Sequence, residues 1–435
     1  MPLQVRYIIV ISIILIIIAG IVGYFAGSQA APVVTVAKKP FEGVTITYLT
    51  TSPMVTPDLD RLFEELTGAK VEVVSVSWPD LRPKLVTALT TKSSDPDVYI
   101  LPDEWVLEFG DNGWLEPLDQ YIPKERLDDM LEIHRGMYTY KGHIIGAPIM
   151  VMPMIMFYNE KILRDAGFDK PPSTWEELLE MSTSLKEKGI VDYSITWPLL
   201  SGDDMLTDVF LTVLLSSGGR IVDEEGNPAF NDEHGLWALN FIVNTIYEYK
   251  IAPETSFECE KMEALRPFMT GENAFNINWQ FMVAMARSAE SKVAEYVRYA
   301  PIPVKKGETP KYTGLAAGGA LAVNPYSDAK EAAIAYVLFI TDPAFSLKLF
   351  AERGWLPAWK SFYENPAAKQ IEPQIDVLLE QLSKSYARGW TGIKDWAKFS
   401  EIIRLTISKV WLEGVEPQEV LNSAAEQAKA LIGKK

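Results

Sequence analysis

Apolar residues alternate with threonine from Val44 to Leu49, and a period of two marks a half-buried strand. The same period returns at Val71–Val76, and Val98–Leu101 is a short apolar run after the Asp95-Pro96-Asp97 turn. Between these stretches the period lengthens. Asp58–Leu66 puts Leu59, Leu62, Phe63 and Leu66 on one helical face and stops at Gly68. Asp80–Thr90 does the same with Leu81, Leu85, Val86 and Leu89. Strand, helix, strand, helix, strand predicts a parallel α/β sheet. Such sheets bind ligands beyond the carboxyl ends of their strands, which directs attention to Thr50–Pro57, Ser77–Arg82 and Pro102–Trp105.

The apolar run that opens at Ala147 is too short to span a bilayer and contains Pro148 and Pro153. Proline lacks a donor, so these positions suit strand ends or a crossing between layers, not a central strand. A short helix follows from Asn159 to Gly167; Pro171-Pro172 then stops the chain, and Ser173 or Thr174 caps the next helix. Glu176 and Glu177 lie three residues on, as a capping box requires. Thr207–Ser217 and Gly235–Tyr249 are apolar-faced helices. Ala264–Met269 leads to a turn at Gly271 and a short strand ending at Trp279, and Gln280–Ser288 is a further helix. Pro301 and Pro303 in Tyr299–Val304 suit a second crossing. Ala316–Val323 follows a glycine-rich loop, and helices are predicted over Ser327–Ile340 and Pro343–Arg353, the latter closed by Gly354. Trp355-Leu-Pro-Ala is a third crossing, and Ser400–Leu412 and Pro417–Ile432 are amphipathic helices.

Ile8–Ala26 changes the picture at the other end: these 19 residues carry no charge. A helix of that size is roughly 28 Å long, close to the hydrocarbon thickness. Arg6 precedes it and the next charge is Lys38, so the positive-inside rule leaves the amino terminus in the cytoplasm and the remaining chain outside. An uncleaved anchor and a signal peptide cut near Ser28-Gln29-Ala30 compete, and the length of the apolar segment favours the anchor. No cysteine follows the segment, which excludes lipid attachment there; residues 27–41 read as a tether.

The 435 residues, 48% of them hydrophobic, can build a large core and two lobes. A net charge of -17 repels phosphates and argues against nucleic acid. Cys259 is the only cysteine, so no intrachain disulfide forms. His134, His143 and His234 show no metal-ligand spacing and read as isolated surface residues. Serine-hydrolase, phosphate-loop and zinc-protease motifs are absent. The acidic pairs Asp203-Asp204 and Asp103-Glu104 have the chemistry of glycosidase carboxylates, but 58 acidic residues produce such pairs by chance.

Phe157–Met181, "FYNEKILRDAGFDKPPSTWEELLEM", resembles the signature of extracellular solute-binding proteins of ABC import systems, in the branch that binds maltose, trehalose and related sugars. The resemblance continues through Ser93–Asp119, Phe268–Gln280, Gly314–Thr341 and Gly414–Ala424, and covers about residues 42–433. It implies a two-lobed, periplasmic-binding-protein-like α/β fold of class II type, without cofactor or metal. Its discontinuous lobes would be 42–147 with 302–345 and 148–301 with 346–433, joined by hinge crossings and preceded by the anchor. The implied role is capture of an oligosaccharide or glycoside by an extracellular monomer that delivers it to a permease and its ATPase. A surface glycosidase and a binding protein for a non-sugar solute are the alternatives.

Binding a sugar needs flat apolar faces for the rings and planar polar groups for the hydroxyls. Trp279, at the end of "FNINW", is the leading candidate, and the resemblance implies stacking on it. Arg82 and the pair Gly318-Gly319 match ligand-contacting positions, and Asp103, Trp355 and Trp396 join them. The departures are as informative. Sugar-binding relatives carry an aspartate where Pro102 stands, with Asp103 and Glu104 shifted past it. Met150 and Met152 replace a tyrosine and an aspartate, and Ala320 replaces a tryptophan. Losing carboxylates removes charge-assisted bonds to hydroxyls worth about 1.5–3 kcal/mol each. A different sugar, or a less polar glycoside, is therefore expected.

Overall fold

Residues 39–431 are described by a computed structural model. The predicted anchor Ile8–Ala26 lies outside them, as do residues 27–38 of the tether. Among the described residues no single helix is long and apolar enough to cross a membrane.

The segment from residue 45 to 102 folds as its periodicity predicts. Strand β1 (Thr45–Thr51), helix α1 (Pro57–Thr67), strand β2 (Lys70–Val76), helix α2 (Trp78–Thr90) and strand β3 (Val98–Pro102) follow in order. β1 pairs in parallel with both β2 and β3. Helix α1 ends because Gly68, at φ +79°, turns left-handed and returns its N–H to the Glu64 carbonyl at 2.8 Å.

The chain beyond Pro102 supplies strand β4 (Ala147–Asn159), helices α3 (Trp175–Glu187) and α4 (Met205–Ser216), and strands β5 (Phe275–Trp279) and β6 (Val297–Ala300). Strand β7 (Gly314–Val323), helices α5 (Lys330–Ile340) and α6 (Ile375–Ser383), strand β8 (Ser385–Ala387) and helix α7 (Trp396–Ile407) complete the framework. β4 is the organising strand. Ala147–Pro153 pairs with β7, which also runs antiparallel to β3, whereas Met154–Asn159 pairs with β5 and β6. The two prolines of β4 therefore sit inside a 13-residue strand, at points where the ladder is interrupted. Pro148 flanks a shift of register, and Pro153 is where β4 passes from one neighbour to another, so their missing donors fit the crossing.

Side chains complete the backbone where the sheets end. Gln374 accepts from the Tyr299 N–H at 2.8 Å and donates to its carbonyl at 3.0 Å, taking the place of a neighbouring strand. Gln381 accepts from the Ile302 N–H at 2.9 Å. These contacts anchor the segment leading from β6 toward β7.

Gly318 and Gly319 lie within β7, where their missing Cβ atoms leave room for neighbours. A Cβ at Gly318 would stand 2.7 Å from the Tyr138 hydroxyl and 2.8 Å from the Met137 sulfur. His134 is completely buried, not on the surface, because the short helix Glu132–Met137 turns Ile133, His134 and Met137 inward together. Gln280–Ser288 forms only a 3-10 turn and the four-residue helix Val283–Ala286.

The capping box forms as read. Thr174 Oγ1 accepts from the Glu177 N–H at 3.1 Å, and Glu177 accepts from the N–H groups of Thr174 and Ser173. Thr174→Ala is expected to cost about 1 kcal/mol of stability, measured by chemical denaturation, because one helical donor loses its partner.

Candidate functional site

Strand β3 ends at Pro102, and the following 3-10 turn aims Asp103 and Glu104 out of the sheet. Asp103 is fully buried. Its Oδ1 accepts from the Gly318 N–H at 2.9 Å and its Oδ2 from the Gly389 N–H at 3.2 Å. Glu104 accepts from Arg388 Nη2 at 2.8 Å. Arg388 and Gly389 begin the turn after β8, so residues far apart in the chain meet here. Only glycine lets this turn come so close: a Cβ at Gly389 would lie 2.8 Å from the Asp103 carbonyl oxygen.

Two indoles flank the cation. The Arg388 guanidinium stands 5.6 Å from the ring centre of Trp279, which ends β5, and 5.7 Å from that of Trp396, which begins α7. Both tryptophans are almost entirely buried. Asp208, buried on α4, lies within electrostatic reach of the same guanidinium. The junction thus combines flat apolar faces, a planar donor and three carboxyl groups.

Burial dominates the electrostatics. It raises the Glu104 carboxyl, against the pull of Arg388 and with the push of Asp103. Burial likewise pushes Asp208 from its ordinary 3.8 up to about 7, with Arg388 opposing it. Burial alone would lower Arg388, but Glu104, Asp103, Asp208 and Asp204 together hold it above its ordinary range. A carboxyl raised in the folded state binds its proton more tightly there than in the unfolded chain. Its stabilising contribution is fully present below the unfolded value and is lost as pH rises through the folded one. Asp208→Asn is therefore expected to flatten the fall in thermal stability between about pH 4 and pH 7, read from melting curves across that window.

Several polar atoms at this junction have no partner: the Tyr138 hydroxyl, Asp208 Oδ1 and Arg388 Nε are buried and unbonded. Buried polar groups normally find partners, and these three atoms have none within the protein. Together they can donate to and accept from hydroxyl groups. His134 offers no proton chemistry to them. Burial pushes its imidazole down to about 3, and both ring nitrogens are unbonded within the protein. Among the described residues no three potential metal ligands cluster.

The structure divides the residues singled out from the sequence. Trp279, Trp396, Asp103, Glu104 and Gly318 converge on the Arg388 junction. Gly319 and Met150 are paired in register, and a Cβ at Gly319 would meet Met150 and Ile100 rather than Tyr138. Met152, half-buried, pairs with Ala317 on that same side of β4. Arg82 is engaged by Glu108, with Nη2 2.7 Å from Oε1. Trp355 is buried under the Arg353 guanidinium, whose centre is 5.8 Å from the ring. Arg388, Tyr138 and Asp208 escaped the sequence reading. For Arg388 a signal exists, since it is the one charged residue within Ser385–Thr391 and two aromatic residues accompany it.

A family model described as bacterial extracellular solute-binding protein matches residues 46–345. The chain is 27% identical to a mannitol-binding protein of Pseudomonas aeruginosa, over 75% of each sequence. It is 25% identical to a maltotriose-binding protein of Pyrococcus abyssi, over 69% of this chain and 62% of the relative. Its fold is similar to maltose-bound T. maritima MalE3, with a TM-score of 0.79, 25% identity, and coverage of 90% of this chain and 100% of the other. The two-lobed α/β architecture of periplasmic binding proteins is common to both.

Proposed function

This chain belongs to the bacterial extracellular solute-binding protein family, and on that premise we propose that it captures a carbohydrate between two lobes and delivers it to the permease of an ABC import system. Similarity to maltose-, maltotriose- and mannitol-binding proteins supports the choice of carbohydrate. The observation that carries the reading is the convergence of Trp279, Trp396, Arg388 and Asp103, with unbonded polar atoms beside them. An oligosaccharide or glycoside fits two indole faces better than a single small polyol does.

In the division we propose, residues 42–147 with 302–345 form one lobe and 148–301 with 346–433 the other. Asp103, Glu104 and Gly318 then belong to the first and Trp279, Arg388 and Trp396 to the second. Ligand bridging the two favours closure, because only a difference in affinity between open and closed forms can shift that equilibrium. The protein acts as a monomeric binding protein rather than an enzyme, held at the outer face of the membrane by residues 1–26.

A thermal-shift screen of mono- and oligosaccharides tests the reading. A ligand at one hundred times its Kd stabilises the native state by about 2.7 kcal/mol, so a carbohydrate ligand raises the melting temperature measurably. Flat melting curves across the sugars, with a shift from a non-sugar solute, would reject the carbohydrate. Turnover of a chromogenic glycoside would favour the surface glycosidase instead.

A further inference from the structure

Resting on the junction as the carbohydrate site, we propose that Trp78 is a second aromatic subsite and that the ligand is a linear oligosaccharide of at least three rings. Trp78 is the one exposed tryptophan among the described residues, with 49% of its surface open. Its place in the sheet gives that surface a use. Helix α2 starts at Trp78, directly after the carboxyl end of β2, and the Asp103–Trp105 turn follows the carboxyl end of β3. Both strands pair in parallel with β1, so Trp78 stands on the same sheet edge as the junction residues Asp103 and Glu104. That edge is where a parallel sheet presents its ligands.

The indole is held in place. It stacks on Trp105 with ring centres 5.9 Å apart and planes at 26°, and Trp105 stacks in turn on the buried Phe109 at 5.6 Å. One turn along α2, Arg82 Nη2 donates to both oxygens of Glu108, at 2.7 and 2.8 Å. Two ties between α2 and the Trp105–Glu108 segment fix the direction of the indole. Trp105 takes one face, so the open surface lies chiefly on the opposite face and the edge. A flat apolar face suits the apolar side of a sugar ring. Arg82, with 34% of its side chain exposed, sets a planar donor one helical turn away.

Continuity with the junction sets the length of the occupant. Trp105 follows Glu104 directly, and Glu104 holds Arg388 beside Trp279 and Trp396. Trp78 is set off from Glu104 by the whole width of Trp105, so one sugar ring cannot touch both. A ring at the junction, a ring on Trp78 and at least one between them make three.

Isothermal titration of the full-length protein in detergent tests this with two homologous series, maltose to maltopentaose and cellobiose to cellopentaose. In one series affinity is expected to rise about tenfold between the two-ring member and the four- or five-ring member, the length that reaches Trp78. Trp78→Ala should erase that rise and leave the two-ring affinity within about twofold of wild type. Trp78→Phe, which keeps a flat face, should retain most of it. Both variants should melt near the wild-type temperature, since the indole is half exposed and packs on one side only. Equal affinity at every length, or a fall common to all lengths in Trp78→Ala, overturns the subsite. A rise that survives Trp78→Ala also overturns it and leaves the indole to a protein partner. Binding of the two-ring sugars alone overturns the long ligand and leaves the carbohydrate site standing. Refusal of both series overturns the proposal, and a flat thermal-shift screen beside it removes the carbohydrate reading as well.

Discussion

Gly389→Val is expected to weaken ligand binding by roughly thirtyfold, about 2 kcal/mol, while the unliganded protein melts close to the wild-type temperature. The glycine faces the Asp103 carbonyl so closely that a Cβ would stand 2.8 Å from its oxygen. Backbone cannot step aside as a flexible side chain can, so the added branches hold the turn after β8 away from β3. Separation breaks the Gly389 N–H bond to Asp103 and loosens Arg388 from Glu104. Both contacts join the two proposed lobes, so the cost falls on the closed form and not on either lobe. Calorimetric titration with the identified carbohydrate, beside a melting curve, separates these effects. Wild-type affinity in Gly389→Val would reject closure across this contact, and collapse of the fold would show that the contact belongs to a single packed body.

Removing the indole of Trp279 is expected to lower affinity by more than tenfold. An aromatic face contributes apolar area and a stacking surface that alanine cannot replace. Trp279 is also 7% exposed and packed, so Trp279→Ala carries a cavity cost of about 3–5 kcal/mol if its neighbours do not collapse. Trp279→Phe keeps most of the packing and narrows the face presented to the ligand, so it separates the two contributions. Its affinity should fall between wild type and alanine, with a melting point near wild type. Equal affinity in all three proteins would remove Trp279 from the site.

The local architecture and its crossing points follow from short-range patterns along the chain. Strand and helix periods at Thr45–Thr90, the Gly68 stop and the Thr174–Glu177 capping box depend on neighbours a few residues apart, and they were legible for that reason. Pro148 and Pro153 marked β4 as a crossing because a missing donor is a local fact. Resemblance supplied Trp279, Asp103 and Gly318. Which charges meet, by contrast, is settled by packing between distant segments. Arg388 reaches Glu104 across 284 positions and Gly389 reaches Asp103 across 286, and no periodicity encodes a pairing at such range. Burial was decided there too. His134 sits in a polar stretch yet is enclosed, and only glycine fits at position 318 because Tyr138 occupies the space a side chain would need. Chain-local patterns fix the elements, whereas the field and the free volume at a site are sums over every element that packs around it.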